Sequence, residues 1–126
     1  MNKKIKAEHP LQWIFEPLQS EADFLQRKMF GCGAAYLGSR LMFVIAASEE
    51  PWNGLLVCTS REHHDVLLRE FPALSPHKVL GKWLYLSQEH RDFEELAQAL
   101  VKRARRRDPL LGIEPKPKKK SKKKGR

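Results

Sequence analysis

An α+β fold follows from three features of this sequence: apolar runs of strand length divided by short turns, one strongly periodic helix near the end, and capping patterns between the two kinds of segment. The expected arrangement is a mainly antiparallel sheet of about four strands, a β-meander plus one, flanked by helices in the order α-β-β-β-α-β-α. With 126 residues there is room for one domain. Its expected parts are an N-terminal arm over residues 1–19, an α+β domain over 20–114, and a disordered lysine-rich tail over 115–126.

The arm carries Leu11, Trp13, Ile14, Phe15 and Leu18 between Pro10 and Pro17, which limit any helix to about a turn or two. Its aromatics are expected to pack on the body. Ser20, with Asp23 three residues on, reads as a capping box opening a short helix over residues 21–27. Residues 29–37 and 40–47 are apolar runs joined by Gly38-Ser39, a type II′ hairpin signal in which glycine supplies the positive φ. The second run is apolar on both faces and is expected to be a central strand. Residues 49–54 form a turn and 55–58 a third strand.

Thr59 and Glu62 make the next capping box, and its helix is expected to run to Phe71, where Pro72 stops it, with Val66, Leu67 and Phe71 on one face. A loop over 72–82 leads to a fourth strand over 83–86. Asp92 and Glu95 then open the last helix. In it Phe93, Leu96, Ala97, Leu100, Val101 and Ala104 make an apolar stripe of helical period. Basic residues end this helix, matching its macrodipole, and Asp108-Pro109 terminates it. Leu110, Leu111 and Ile113 are expected to fold back on the body.

The net charge of +9 is unevenly placed. Residues 1–101 hold 11 Lys and Arg against 13 Asp and Glu, a net of −2, whereas residues 102–126 hold 13 against two, a net of +11. That asymmetry points to a polyanionic partner, DNA or RNA, bound without sequence specificity and with strong salt dependence. The candidate nucleic-acid-binding residues are Lys102, Arg103, Arg105, Arg106, Arg107, Lys116, Lys118, Lys119, Lys120, Lys122, Lys123, Lys124 and Arg126. A mobile lysine segment holds no donors rigidly in a groove, so base readout is not expected of it.

Other chemistries find less support. The glycines at 31, 33 and 38 lack dinucleotide-loop spacing and precede a strand, not a helix. His63 and His64 downstream of Cys58 complete no metal-ligand pattern, and adjacent helical residues point about 100° apart. Cys32 and Cys58 lie in apolar runs and read as buried thiols of a reducing compartment, a disulfide being the minor alternative. Glu49-Glu50 and Glu94-Glu95 read as solvated carboxylates. No catalytic residue, metal or cofactor is assigned. The basic N-terminus leads into no apolar leader region, and the longest apolar run, residues 41–47, is too short to span a bilayer. A soluble cytoplasmic protein is expected, with no membrane partner.

The run Lys28-Met29-Phe30-Gly31-Cys32-Gly33, with Tyr36 three residues on and the glycine turn into Met42-Phe43, resembles the N-terminal domain of the TfoX/Sxy competence regulators. Those proteins open their hairpin with a similar Arg/Lys-Met-Phe-Gly-Gly element. The similarity in element order runs from about residue 20 to residue 107. The small MmcQ/YjbR-like proteins share the strand at Trp83 to Leu86 before a long last helix. The resemblance implies an α+β fold and a bacterial regulatory role. The leading functional expectation is therefore a non-enzymatic, nucleic-acid-associated protein. The alternative is a protein-interaction adaptor in which Trp13, Trp52 or Tyr85 lines a groove and the basic end is a solubility device. A small enzyme using a cysteine is the third and weakest reading.

Overall fold

The computed structural model describes residues 9–29 and 31–115. The chain opens with a 3₁₀ helix at Gln12–Ser20, then makes strands β1 Phe24–Met29, β2 Cys32–Leu37, β3 Arg40–Ala47 and β4 Asn53–Val57. A 3₁₀ turn, Arg61–His63, runs into helix α1, His64–Glu70. Strands β5 Ser75–Pro76 and β6 Leu84–Ser87 follow, and helix α2, Phe93–Arg105, completes the order. The fold class is α+β. Six strands form one antiparallel sheet in the order β1-β2-β3-β4-β6-β5, two more strands than the sequence reading counts.

The extra strands are the two edges. Residues 21–27 were expected as a short helix capped by Ser20 and Met29 as the start of the first strand; instead Ser20 closes the 3₁₀ helix, and Phe24 to Met29 form a strand of their own that pairs with Leu37 to Cys32. Local capping chemistry favoured the helix, but the ladder with β2 satisfies six consecutive residues at once. The other edge is the two-residue β5, inside what read as a loop. The hairpin at Gly38-Ser39 lies where the sequence puts it, with Gly38 at φ +62°.

Opposite Ala35 and Tyr36 the register of β3 slips, so that Ala35 pairs with Phe43 and Tyr36 with Leu41. Met42 is the extra residue of a β-bulge, and Met42 and Phe43 both enter the same core cluster. That cluster lies on the face of the sheet that carries every helix. Phe15 and Leu18 of the 3₁₀ helix, Leu67 of α1, and Ala97, Leu100 and Ala104 of α2 close over Phe43, Ile45, Leu55, Val57, Leu84 and Leu86. Each large side chain buried there contributes roughly 1.5–3 kcal/mol. Trp13 meets Phe93 edge to face at 6.1 Å, so the arm does pack on the body. Val66 is 37% exposed and lies off the buried face expected for it.

Neither helix uses the expected side-chain cap: Ser60 and His63 precede the 3₁₀ turn and α1, Asp92 precedes α2, and none of the three makes a capping hydrogen bond. Thr59 is engaged elsewhere. Its buried hydroxyl donates to the Leu110 carbonyl at 2.7 Å and anchors the returning C-terminal segment. Residues 110–113 fold back as expected, with Leu111 buried and Ile113 bridging Leu41.

Candidate nucleic-acid interface

The helix-end cations do not form a free patch. Arg103 bonds to the Glu70 carboxylate and to Asp108 Oδ2 at 2.6 Å, and its guanidinium lies 5.4 Å from the centre of the Phe71 ring. Arg107, in a left-handed conformation at φ +59°, closes the end of α2 and turns its side chain toward the N-terminal segment. There it grips Asp23 with two hydrogen bonds, at 2.9 and 3.0 Å, and Glu21 with another at 2.9 Å. Arg105 adds a contact to Glu21 at 3.2 Å. The carboxyls of Glu21 and Asp23 are held below their ordinary range by these hydrogen bonds, chiefly from Arg107. Arg105 and Arg107 thus clasp the end of α2 to the residues before β1, and with Arg103 held by Glu70 and Asp108, three of the five predicted helix-end cations are engaged by carboxylates. Lys102 and Arg106 remain exposed at the end of α2 and line, with Phe71 and Glu95, a shallow groove. Lys116, Lys118, Lys119, Lys120, Lys122, Lys123, Lys124 and Arg126 lie outside the described residues.

Among the described residues, no helix packs on the opposite face of the sheet. Ala34, Leu41, Val44, Ala46, Leu56, Cys58 and Tyr85 form a second apolar cluster there, and no described helical residue belongs to it. Part of this face opens into an apolar pocket of about 820 Å³. Val44, Ala46 and Leu56 make its floor, and Met29, Cys32, Trp52, Leu80 and Trp83 line it. None of its lining residues is charged. Ligand pockets commonly occupy ~300–1,000 Å³, so this one is of ligand size.

Two polar networks set the pocket's aromatic wall. His77, assigned no role from sequence, is buried and organises the loop that carries Leu80 and Trp83. Its Nδ1 accepts from the Val79 and Leu80 amides at 3.1 and 2.9 Å, and its Nε2 donates to the Pro51 carbonyl at 2.7 Å. These partners assign the ring proton to Nε2. The same ring packs against Trp52 at 4.4 Å and meets Tyr85 edge to face at 5.3 Å. Behind it, the Asn53 amide donates to the Tyr85 hydroxyl at 2.8 Å, and that hydroxyl donates to Glu50 at 2.7 Å. Burial, reinforced by the Glu50 carboxylate, pushes the Tyr85 phenol above its ordinary range. Glu50 also accepts from the Ser87 hydroxyl, the main reason its own carboxyl is lowered. Glu50 is exposed in its turn, as expected, and is also a member of this network. The sequence signal was slight: a histidine between prolines 72, 76 and the Gly81 turn.

Of the three aromatics proposed to line a groove, Trp52 lines this pocket, while the largely buried Tyr85 and Trp13, packed on Phe93, each border a smaller one. Trp83, expected inside a strand, precedes β6 and joins Trp52. Cys32 and Cys58 are both thiols, the latter fully buried, and burial raises both above the ordinary thiol range. His64 Nε2 bonds to the Lys82 carbonyl at 2.9 Å, and among the described residues no group of three or more His, Cys, Asp or Glu is placed to hold a metal. Among them, too, no helix is long and apolar enough to cross a membrane. Comparison with known protein families, with curated proteins and with solved structures finds no match for this chain.

Proposed function

We propose that this is a non-enzymatic protein that associates with DNA or RNA through the cations of its C-terminal end, without reading sequence. The observation that carries this reading is where uncompensated positive charge remains. The body is slightly acidic, and its carboxylates engage Arg103, Arg105 and Arg107. At the C-terminal end the cations outside those ion pairs are Lys102 and Arg106, and the sequence adds eight more over residues 116–126. Neutralising phosphates with these releases counterions, which drives binding that falls steeply with salt. A regulatory role in a bacterial cell, as the resemblance to TfoX/Sxy N-terminal domains implies, belongs to the same reading.

The test is an electrophoretic shift with random duplex DNA and with RNA over a salt series, on the full chain and on a chain cut after Glu114. With ~6–8 phosphates engaged, log K on duplex DNA should fall against log salt with a slope of roughly −5 to −7. The cut chain keeps Lys102 and Arg106 as its exposed helix-end cations, and its slope should be no steeper than about −2. Equal affinity of the two chains would place binding in the body and refute this reading. Failure of both to bind would favour the second reading, a protein-interaction adaptor, for which the Trp52–Trp83 pocket supplies a docking feature.

A further inference from the structure

The helix-free face combines features that a solubility tail and its scaffold do not need. Along β1, Met29 enters the second cluster while Phe24 packs with the first, so alternation puts Leu25 and Arg27 on the same face as Met29. Their ladder partners agree: Arg27 lies opposite Ala34 and Leu25 opposite Tyr36, both of the second cluster. Leu25 is 46% exposed, Arg27 is exposed, and Tyr36 is half-buried between them and the pocket side of the sheet. Across the sheet, exposed Lys82 adjoins Trp83, and Val79 on the same loop is 64% exposed. The C-terminal segment also reaches this face. Ile113 packs with the second cluster, so the chain leaves the described fold at Pro115 just beyond it.

We propose that this face is a stacking platform for unpaired bases of single-stranded nucleic acid, with a base entering the pocket between Trp52 and Trp83. The proposal rests on the nucleic-acid reading above and narrows its ligand. A nucleobase is flat, uncharged and edged with hydrogen-bond acceptors. The pocket has two indoles, an uncharged lining, and indole N–H groups that donate to no acceptor among the described residues. The phosphates of the same strand carry negative charge, for which Arg27 on the same sheet face and Lys82 beside Trp83 are exposed cations. A duplex offers the phosphates alone, because its bases are paired and stacked out of reach. Aromatic stacking beside a basic track is how sequence-tolerant single-strand binding is generally built.

The experiment compares the full chain's affinity for an oligothymidylate about a dozen nucleotides long with an abasic strand of the same length and charge. Stacking should make the oligothymidylate bind roughly five- to a hundredfold more tightly, with quenching of tryptophan fluorescence. Trp83→Leu and Trp52→Leu, chosen to keep the wall apolar, should each shrink that ratio toward one while duplex affinity stays unchanged. The wild-type comparison holds even if a variant fails to fold. Equal binding of the two strands would overturn the stacking platform and leave the electrostatic reading standing. A base preference that persists at full affinity after the cut at Glu114 would refute the electrostatic reading and support the platform. Indoles quenched by an apolar peptide but not by the oligothymidylate would assign the pocket to a protein partner and end the proposal.

Discussion

Replacing Gly54 with alanine puts the joint between β4 and the β6 edge to the test. A Cβ at residue 54 would overlap the Leu86 carbonyl oxygen and come within 2.9 Å of the Gln88 amide nitrogen and 3.0 Å of Ser87 Cα. All three obstacles are backbone, so no rotamer change relieves them and β6 itself must move away. Two hydrogen bonds bracket the joint: Gln88 N–H to the Asn53 carbonyl at 2.9 Å, and Asn53 N–H to the Tyr85 hydroxyl at 2.8 Å. Overpacking costs about 1–3 kcal/mol, and each of the two weakened bonds costs about 0.5–1.5, so the substitution should cost roughly 2–6 kcal/mol. At ~4–8 °C per kcal/mol for a domain of this size, the midpoint of thermal unfolding should fall by at least about 8 °C. Gly38→Ala is the control. Its backbone is left-handed, at φ +62°, and the nearest obstacle is a side-chain atom, Asp23 Oδ2 at 3.2 Å, which need give by only a few tenths of an ångström within its bonds to Arg107. Its cost is the backbone strain of about 1–2 kcal/mol. Circular dichroism melts should therefore order wild type above Gly38→Ala above Gly54→Ala. A Gly54→Ala protein melting at or above the Gly38→Ala protein would refute the close approach of β4 and β6.

Cys58 should resist iodoacetamide at neutral pH in the folded protein, and Cys32 should react slowly, since burial disfavours both thiolates; mass spectrometry showing rapid labelling of either would reopen a cysteine-based activity. The Arg107 clasp predicts an acid limb in stability. Glu21 and Asp23 have folded-state pKa values below their ordinary 4.5 and 3.8, so their contribution is fully present above those values and is lost as pH falls through the lowered ones. Urea midpoints measured from neutral pH downward should drop less steeply below about pH 4.5 in the Glu21→Gln, Asp23→Asn double variant than in wild type. Tyr85→Phe removes the hydroxyl between the Asn53 amide and Glu50. It should cost about 1–3 kcal/mol in denaturant unfolding and alter Trp52 fluorescence, because the turn that carries this indole loses its tether; an unchanged emission spectrum would show that the turn holds without it.

Much of the fold is local chemistry and could be read from residues in order. The glycine at 38 between two apolar runs fixes a hairpin, because few other residues sit comfortably at its positive φ. The stripe from Phe93 to Ala104 defines the buried face of α2, since helical period and burial coincide there. The break at Asp108-Pro109 and the return of Leu111 follow from proline geometry and apolar content. The charge split is a property of composition and needs no structure. What the residues could not show is anything decided by partners distant in the chain. Phe24 to Met29 has no strong pattern of its own and becomes a strand because β2 offers it a ladder. Arg107 lies more than 80 residues from Glu21 and Asp23, and only the packing of α2 against the N-terminal segment turns this predicted phosphate contact into internal ion pairs. His77, Trp52 and Trp83 likewise come together only when two loops close over the helix-free face of the sheet. Local propensity acts over a few residues, whereas a pocket or an ion-pair clasp exists only once the chain has returned on itself.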